Sequence, residues 1–246
     1  MKQPLFTIVT VTYNAEDTLQ NTIDSVKQQT YKNIEYIVID GNSKDRTKSI
    51  IQKNLGSIDY WISESDSGIY EAMNKGTRMA SGQWINFMNA GDSFADSEVL
   101  AKVAAQTNTE SNVIYGDRYY HSQGIKTLQK AKSIDTIFER MPFGHQSAFV
   151  RTEILKPLGF NETYKFAADY NLFVTLYMNK CGFKQIDLPV CNFEAGGQSE
   201  SGLRPYLETI KILLDNTSDK PTISKNIYFR KFLEISKELC IKTISN

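Results

Sequence analysis

Four aspartates, Asp40, Asp66, Asp92 and Asp169, stand where apolar runs end or begin, which leaves each carboxylate in a loop or a first helical turn. Carboxylates so placed can accept from the donors of a nucleoside, hold a hard cation, or take a proton from an attacking hydroxyl. Asp92 closes Asn89-Ala90-Gly91-Asp92, directly after the strand-like run Gln83 to Met88. A lone carboxylate suffices to hold Mg²⁺ or Mn²⁺ against a diphosphate, because Mg²⁺ is commonly bound by one or two carboxylates plus substrate phosphates. Such a cation offsets the charge that grows on a departing diphosphate. The competing reading is that Asp92 and Ser93 merely start a helix near Asp96.

Asp40 ends a second strand and can accept from base or ribose donors. It equally fits a turn-forming Asp-Gly pair, with Asn42 and Ser43 capping the next helix, and capping is the better reading of Ser43. Thr10, Thr12, Tyr13 and Asn14 end the first strand, where alternate hydroxyls and an aromatic ring would meet a nucleobase and ribose, although strand threonines are usually structural. The string Glu64 to Gly76 joins a helix start, with its free N–H groups, to Asp66, Asn74 and Lys75. Lys75 within reach of a phosphate is weighed there against a solvated side chain, and Asp66 against a plain cap. His145, in Phe143-Gly144-His145-Gln146-Ser147, is a candidate metal ligand or acceptor-site donor, against the commoner role of a hydrogen-bonded structural histidine. Asp169 opens a helix; it caps that helix or, aimed into a crevice, acts as a base.

The elements that must position these groups alternate. Phe6 to Thr12, Ile34 to Ile39, Ile58 to Ile62 and Gln83 to Met88 read as strands. Between them lie a helix capped by Asn14 with Leu19, Ile23 and Val26 on one face, a helix begun by Ser43 and Asp45, and a helix whose Ala72, Met73, Gly76 and Ala80 permit close packing. This order predicts an α/β fold with a mostly parallel sheet covered on both faces and ligands beyond its carboxyl ends. Asp96 to Gln106 is expected to be helical. Asn112 to Tyr119 and Ile125 to Gln129 read as a hairpin, Gln146 to Arg151 as a strand, Asp169 to Asn179 as a helix, and Phe183 to Phe193 as a strand interrupted near Pro189. A catalytic domain is placed at 1–202 and a C-terminal helical extension at 203–246.

Lys plus Arg and Asp plus Glu are both 28 in the 246 residues, so no overall field draws the chain to nucleic acid, and nucleic acid is not an expected partner. Three cysteines, Cys181, Cys191 and Cys240, have no metal-ligand spacing and fit reduced thiols. With no signal-peptide pattern and no apolar run long enough to span a membrane, a cytoplasmic location is expected. Ser224 to Thr243 mixes Lys225, Arg230, Lys231, Lys237 and Lys242 with Phe229, Phe232, Leu233 and Leu239. That pattern suits peripheral contact with an anionic membrane, or docking on the domain or a second subunit.

Taken in order, Thr10 to Asn14, Asp40 to Asp45, Asp66 to Gly76, Asn86 to Asp92, Gly144 to Ser147 and Asp169 to Leu172 resemble the family-2 glycosyltransferases, over roughly Phe6 to Ser199. The resemblance implies a GT-A, Rossmann-like nucleotide-diphospho-sugar transferase fold and inverting transfer to a saccharide or lipid-linked acceptor in cell-surface polysaccharide assembly. It implies that Thr12, Asp40 and Asp66 line the nucleotide pocket, that Asp92 holds the metal, and that Asp169 is the base. The donor is expected to be a UDP, GDP or dTDP sugar. Many members carry two acids where this chain has only Asp92. Gly196-Gly197-Gln198-Ser199 resembles a flexible segment that closes over donor or metal. The rivals are an inactive nucleotide-sugar or carbohydrate binding module of the same fold and a sugar nucleotidyltransferase, which would need a glycine-rich basic loop missing here. A dehydrogenase would need a glycine fingerprint after the first strand.

Overall fold

A computed structural model describes residues 6–196, 203–218 and 220–234. The strands are β1 (Phe6–Thr12), β2 (Ile34–Asp40), β3 (Tyr60–Ser63), β4 (Trp84–Phe87), β5 (Ser93–Phe94), β6 (Val113–Ser122), β7 (Ile125–Gln129), β8 (Ala148–Arg151) and β9 (Phe183–Glu194). The helices are α1 (Leu19–Lys27), α2 (Thr47–Lys53), α3 (Ile69–Met79), α4 (Val99–Ala104), α5 (Thr152–Leu158), α6 (Ala168–Met178), α7 (Arg204–Asn216) and α8 (Lys220–Lys225). All strands join one sheet in the order β3-β2-β1-β4-β8-β6-β9-β5, with β7 paired on β6.

Strands β3, β2, β1 and β4 are mutually parallel, so their carboxyl ends open on one edge. β1, β2 and β4 are buried along almost their whole length, as strands covered on both faces are, while β3 is the exposed edge. Alternation divides them between two cores: Val9, Val11, Ile37 and Ile39 meet α3, α5 and α6, whereas Phe6, Ile8, Tyr36 and Val38 meet α1, α2 and α4. Gly76 lets α3 close on β1, because a Cβ there would lie 2.4 Å from Val9 Cγ1. Beyond β4 the sheet turns antiparallel through β8.

The register of β6 against β9 shifts around Asp117, opposite Pro189. A proline cannot donate to a ladder, and Gly116 leaves no room for a side chain against Leu188 O, 2.5 Å from where its Cβ would be. The interruption expected near Pro189 is therefore a bulge inside one strand.

Some local expectations need correcting. Asn14 does not cap α1: it adopts φ 47°, and its Oδ1 accepts from Lys44 N at 2.9 Å while its N–H donates to Ser43 Oγ at 2.8 Å. Ser43 does not cap α2, which begins four residues later; Asp45 Oδ1 instead accepts from Thr47 N. Asp92 and Ser93 start no helix, since β5 intervenes and α4 begins only at Val99. Gln146 lies in a tight turn ahead of β8.

After the segment 197–202, which includes most of the expected flexible loop and the proposed domain boundary and lies outside the described residues, α7 packs back onto the domain. Ile212 joins the core of α3 and α6. A further helical segment, 227–234, follows Asn226, whose Nδ2 donates to Phe138 O at 2.7 Å. The rest of the expected basic, apolar helix to Thr243, with Cys240, lies outside the described residues. Among the described residues no helix is long and apolar enough to cross a membrane.

Candidate active site

The parallel strand ends build the first half of the site. Thr12 and Asp40 are register partners at the tips of β1 and β2, and Ser63 ends β3 beside them. Asp40 is fully buried, and its carboxylate accepts from Ser43 N at 3.1 Å, from Ser43 Oγ, and from Ser63 Oγ at 2.5 Å. It ties the loop after β2 to the end of β3. Gly41 leaves a gap filled by other residues: a Cβ there would lie 2.8 Å from Asp66 Oδ2 and 3.3 Å from Tyr13 Cδ2. Tyr13 is 63% exposed, and Asp66 uses Oδ1 to accept from Gly68 N at 3.0 Å. Burial pushes the Asp66 carboxyl above its ordinary value, against the Gly68 N–H and the charge of Lys75. Thr12 Oγ1 is buried without a hydrogen-bond partner among the described residues, the kind of group a ligand or ordered water completes.

The loop after β4 supplies the second half. Ala90 N donates to Val11 O, and Gly91, at φ 105°, donates to Thr22 Oγ1, whose own hydroxyl donates to Asp92 O at 2.7 Å. Helix α1 thus braces the loop and fixes Asp92 at its end. Asp92 is 7% exposed, and Gln146 Nε2 donates to its Oδ2 at 2.8 Å. Burial pushes its carboxyl up to about 6, only partly offset by Gln146, the charge of His145, the Glu194 N–H and the charge of Arg118.

One residue away from Gln146, His145 joins Asp169 to the loop that carries Asp92. Its Nδ1 is 3.1 Å from Asp169 Oδ2 and its Nε2 is 3.1 Å from Asn89 Nδ2. Facing a carboxylate, Nδ1 carries a proton and donates to Asp169. Tyr70 Oη donates to the other oxygen of Asp169 at 2.9 Å. Burial by itself would raise the Asp169 carboxyl, but the hydrogen bond and charge of His145, with the Tyr70 hydroxyl and the Tyr170 N–H, hold it below the ordinary aspartate value. Its side chain remains 20% exposed, so an ionised carboxylate faces the crevice.

Against this geometry the family comparison is decisive. The model for glycosyl transferase family 2 matches residues 7–173, well over half of the chain. The chain belongs to glycosyl transferase family 2. This glycosyltransferase is 31% identical over 185 residues to a PGL/p-HBAD biosynthesis glycosyltransferase of Mycobacterium tuberculosis, covering 73% of this chain and 72% of the relative. It is 28% identical over 181 residues to an uncharacterised glycosyltransferase of Haemophilus influenzae, covering 69% and 72%. Among solved structures it shares its fold with S. aureus TarS 1–349 in complex with UDP-GlcNAc, at a TM-score of 0.71 and 19% identity over 93% of this chain and 71% of that one. A mannosyltransferase from Pyrobaculum calidifontis in complex with GDP-Man and Mn²⁺ gives a TM-score of 0.71 and 16% identity over 93% and 70%. The expected α/β fold of GT-A type is thereby established.

Within that fold the glycosyltransferase groups Thr12, Tyr13, Asp40 and Asp66 at the tips of β1 and β2, and Asn89, Asp92, His145 and Asp169 around the loop after β4. Three of the expected residues are engaged by other groups of the protein. Thr10 is fully buried, bonded to Met88 O and the Tyr36 hydroxyl, so it cannot reach a nucleotide. Lys75 does not extend toward a phosphate: it is 10% exposed and held by Glu64 at 3.0 Å, Glu71 at 3.1 Å and Ser65 O. His145 has both ring nitrogens engaged, Nδ1 with Asp169 and Nε2 with Asn89. Asn74 also turns inward, pinning Phe160 through its amide. The sequence reading missed Tyr70 and the contact of Gln146 with Asp92. Tyr70 carried a signal, lying four residues after Asp66 in the most specific string of the chain.

Among the described residues no group of three or more His, Cys, Asp or Glu side chains could hold a metal. The donor set that does fit Mg²⁺ or Mn²⁺ is smaller. Among the described residues Asp92 forms no ion pair with a lysine or arginine, and burial outweighs the contacts that favour its charge. A hard cation shared with substrate phosphates would compensate it.

Proposed function

We propose that this chain transfers a sugar, with inversion, from a nucleoside-diphosphate donor to an acceptor hydroxyl. The observation that carries the reading is the hydrogen-bonded series Tyr70–Asp169–His145–Asn89, running from the nucleotide end of the crevice to the loop of Asp92. Such an arrangement would set a base beside a leaving diphosphate. Tyr13 and Asp66 would take the nucleobase and Thr12 the ribose, with Asp40 acting as the strut beneath them. Relatives in the solved structures are in complex with UDP-GlcNAc or GDP-Man, which supports a nucleotide-sugar donor here as well.

Asp169 would accept the acceptor's proton at the oxygen that faces the crevice, and His145 and Tyr70 would hold the carboxylate in line. The acceptor oxygen would displace the diphosphate from the anomeric carbon in one step through an oxocarbenium-like transition state. Asp92 would hold the cation, which supplies charge neutralisation for the diphosphate. A carboxylate held below its ordinary value is ionised at neutral pH, and its proton affinity is used only as the new bond forms. UDP, GDP and dTDP sugars tested calorimetrically, with Mn²⁺ and with EDTA, would decide the donor. If none binds in either condition, the reading is wrong.

A further inference from the structure

The family match ends at residue 173, inside α6, yet the base turn is held by a residue beyond it. Helix α6 has no side-chain cap of its own; the residue ahead of it is Ala167. Glu208, from the second turn of α7, supplies the missing acceptor. Its Oε1 accepts from Lys165 N at 2.8 Å, and its Oε2 accepts from Phe166 N at 2.8 Å and Ala167 N at 3.0 Å. Three consecutive amides of the turn entering α6 thus converge on one carboxylate, two residues before Asp169. A carboxylate at a helix N-terminus also opposes the positive end of the helix dipole.

A second contact from the C-terminal segment reaches the same place. The ring of Tyr228 lies 6.2 Å from that of Tyr170, the residue after Asp169, and its hydroxyl accepts from Met141 N. Tyr170 Oη in turn donates to Ile137 O at 2.7 Å.

We infer that Glu208 is a positioning residue for transfer: the carboxylate of α7 sets the backbone of residues 165–167, and through it the place of the Asp169 carboxylate between Tyr70 and His145. The inference rests on Asp169 being the base. The C-terminal helices are then part of the working enzyme and not an appended anchor. Misplacing a catalytic group by about 1 Å costs on the order of 100-fold in rate, whereas the groups assigned to the donor, Thr12, Tyr13, Asp66 and the cation on Asp92, are not held by this turn.

The test uses the full chain and three variants, Glu208→Ala, Glu208→Gln and Asp169→Asn. Turnover is read as release of nucleoside diphosphate from the donor that binds, with water as the acceptor, and amide hydrogen exchange is followed over residues 163–171. In Glu208→Ala the exchange of this turn rises and kcat falls by about ten-fold or more. Donor KM stays within about two-fold because the donor's contacts are untouched. Its melting temperature drops by only about 2–4 °C, the effect of one lost cap in a chain of this size. Glu208→Gln keeps an acceptor oxygen and recovers part of the lost kcat. Wild-type kcat in Glu208→Ala, with Asp169→Asn inactive, overturns the inference and leaves the base in place. Loss of kcat and donor KM together, in step with melting temperature, also overturns it and makes Glu208 a fold element. Full activity in Asp169→Asn refutes the base itself.

Discussion

Replacing Asp92 by Asn should stabilise the metal-free protein at neutral pH while removing its response to a divalent cation. Burial moves the Asp92 carboxyl from the ordinary value of 3.8 to about 6. At ~1.4 kcal/mol for each pKa step, ionising it in the folded protein is disfavoured by roughly 3 kcal/mol relative to the unfolded chain. Because the folded value is the higher one, the folded state holds the proton more tightly. Stability is therefore fully present below pH 3.8 and is lost as the pH rises through about 6. Asparagine carries no such penalty. Its oxygen still accepts from Gln146, but one donor that now stabilises the carboxylate, the Glu194 N–H, is left without a charged partner, at a cost of about 1 kcal/mol. The net gain of about 2 kcal/mol corresponds to roughly 4–8 °C in melting temperature for a chain of this length. Thermal melts in EDTA at pH 7.5 should show that gain, and at pH 4 it should largely vanish. Addition of Mn²⁺ with UDP should then raise the melting temperature of the wild type alone. A variant that melts at or below the wild type at pH 7.5 in EDTA would show that the Asp92 charge is already satisfied within the protein, and the case for a cation there would fail.

Asp169→Asn keeps both hydrogen-bond neighbours in place yet cannot take a proton, so donor binding should persist in calorimetry while turnover falls by about 100-fold or more. Tyr70→Phe removes one donor from the Asp169 carboxylate and should lower kcat several-fold without changing donor affinity, measured by steady-state kinetics. Gly76→Ala places a methyl group 2.4 Å from Val9 Cγ1; the clash outweighs the helix-propensity gain of up to ~1 kcal/mol and should destabilise by about 1–3 kcal/mol in urea unfolding. Asp40→Asn removes a carboxylate that accepts from one amide and two hydroxyls and should cost about 1–3 kcal/mol in the same assay, together with donor affinity, because the loops it joins frame the pocket.

The alternating strands and helices, the two-faced burial of β1 and β2, the close approach at Gly76 and the motif order that marks the family were all legible in the amino-acid sequence. Each is encoded locally: a run of β-branched residues, a period of 3.6, or a glycine where nothing larger fits. The four aspartates could be chosen for the same reason, since carboxylates at strand ends and helix starts stand out from their neighbours. Their individual duties were not local. Asp40 and Asp92 look alike in sequence, but one meets Ser43 and Ser63 and joins the ends of β2 and β3, while the other meets Gln146 and the Glu194 N–H and keeps a charge that burial disfavours. Lys75 and Thr10 were plausible ligands until their partners, Glu64 and Glu71 for one and Tyr36 and Met88 O for the other, were brought to them by packing. The pairing of His145 with Asp169, 24 residues on, and of Glu208 with the turn at 165–167, depends on where α6 and α7 come to rest. Residue type determined which groups could do chemistry, and tertiary structure decided which of them were left free to do it, because a buried polar group is claimed by whichever partner the fold sets within about 3 Å.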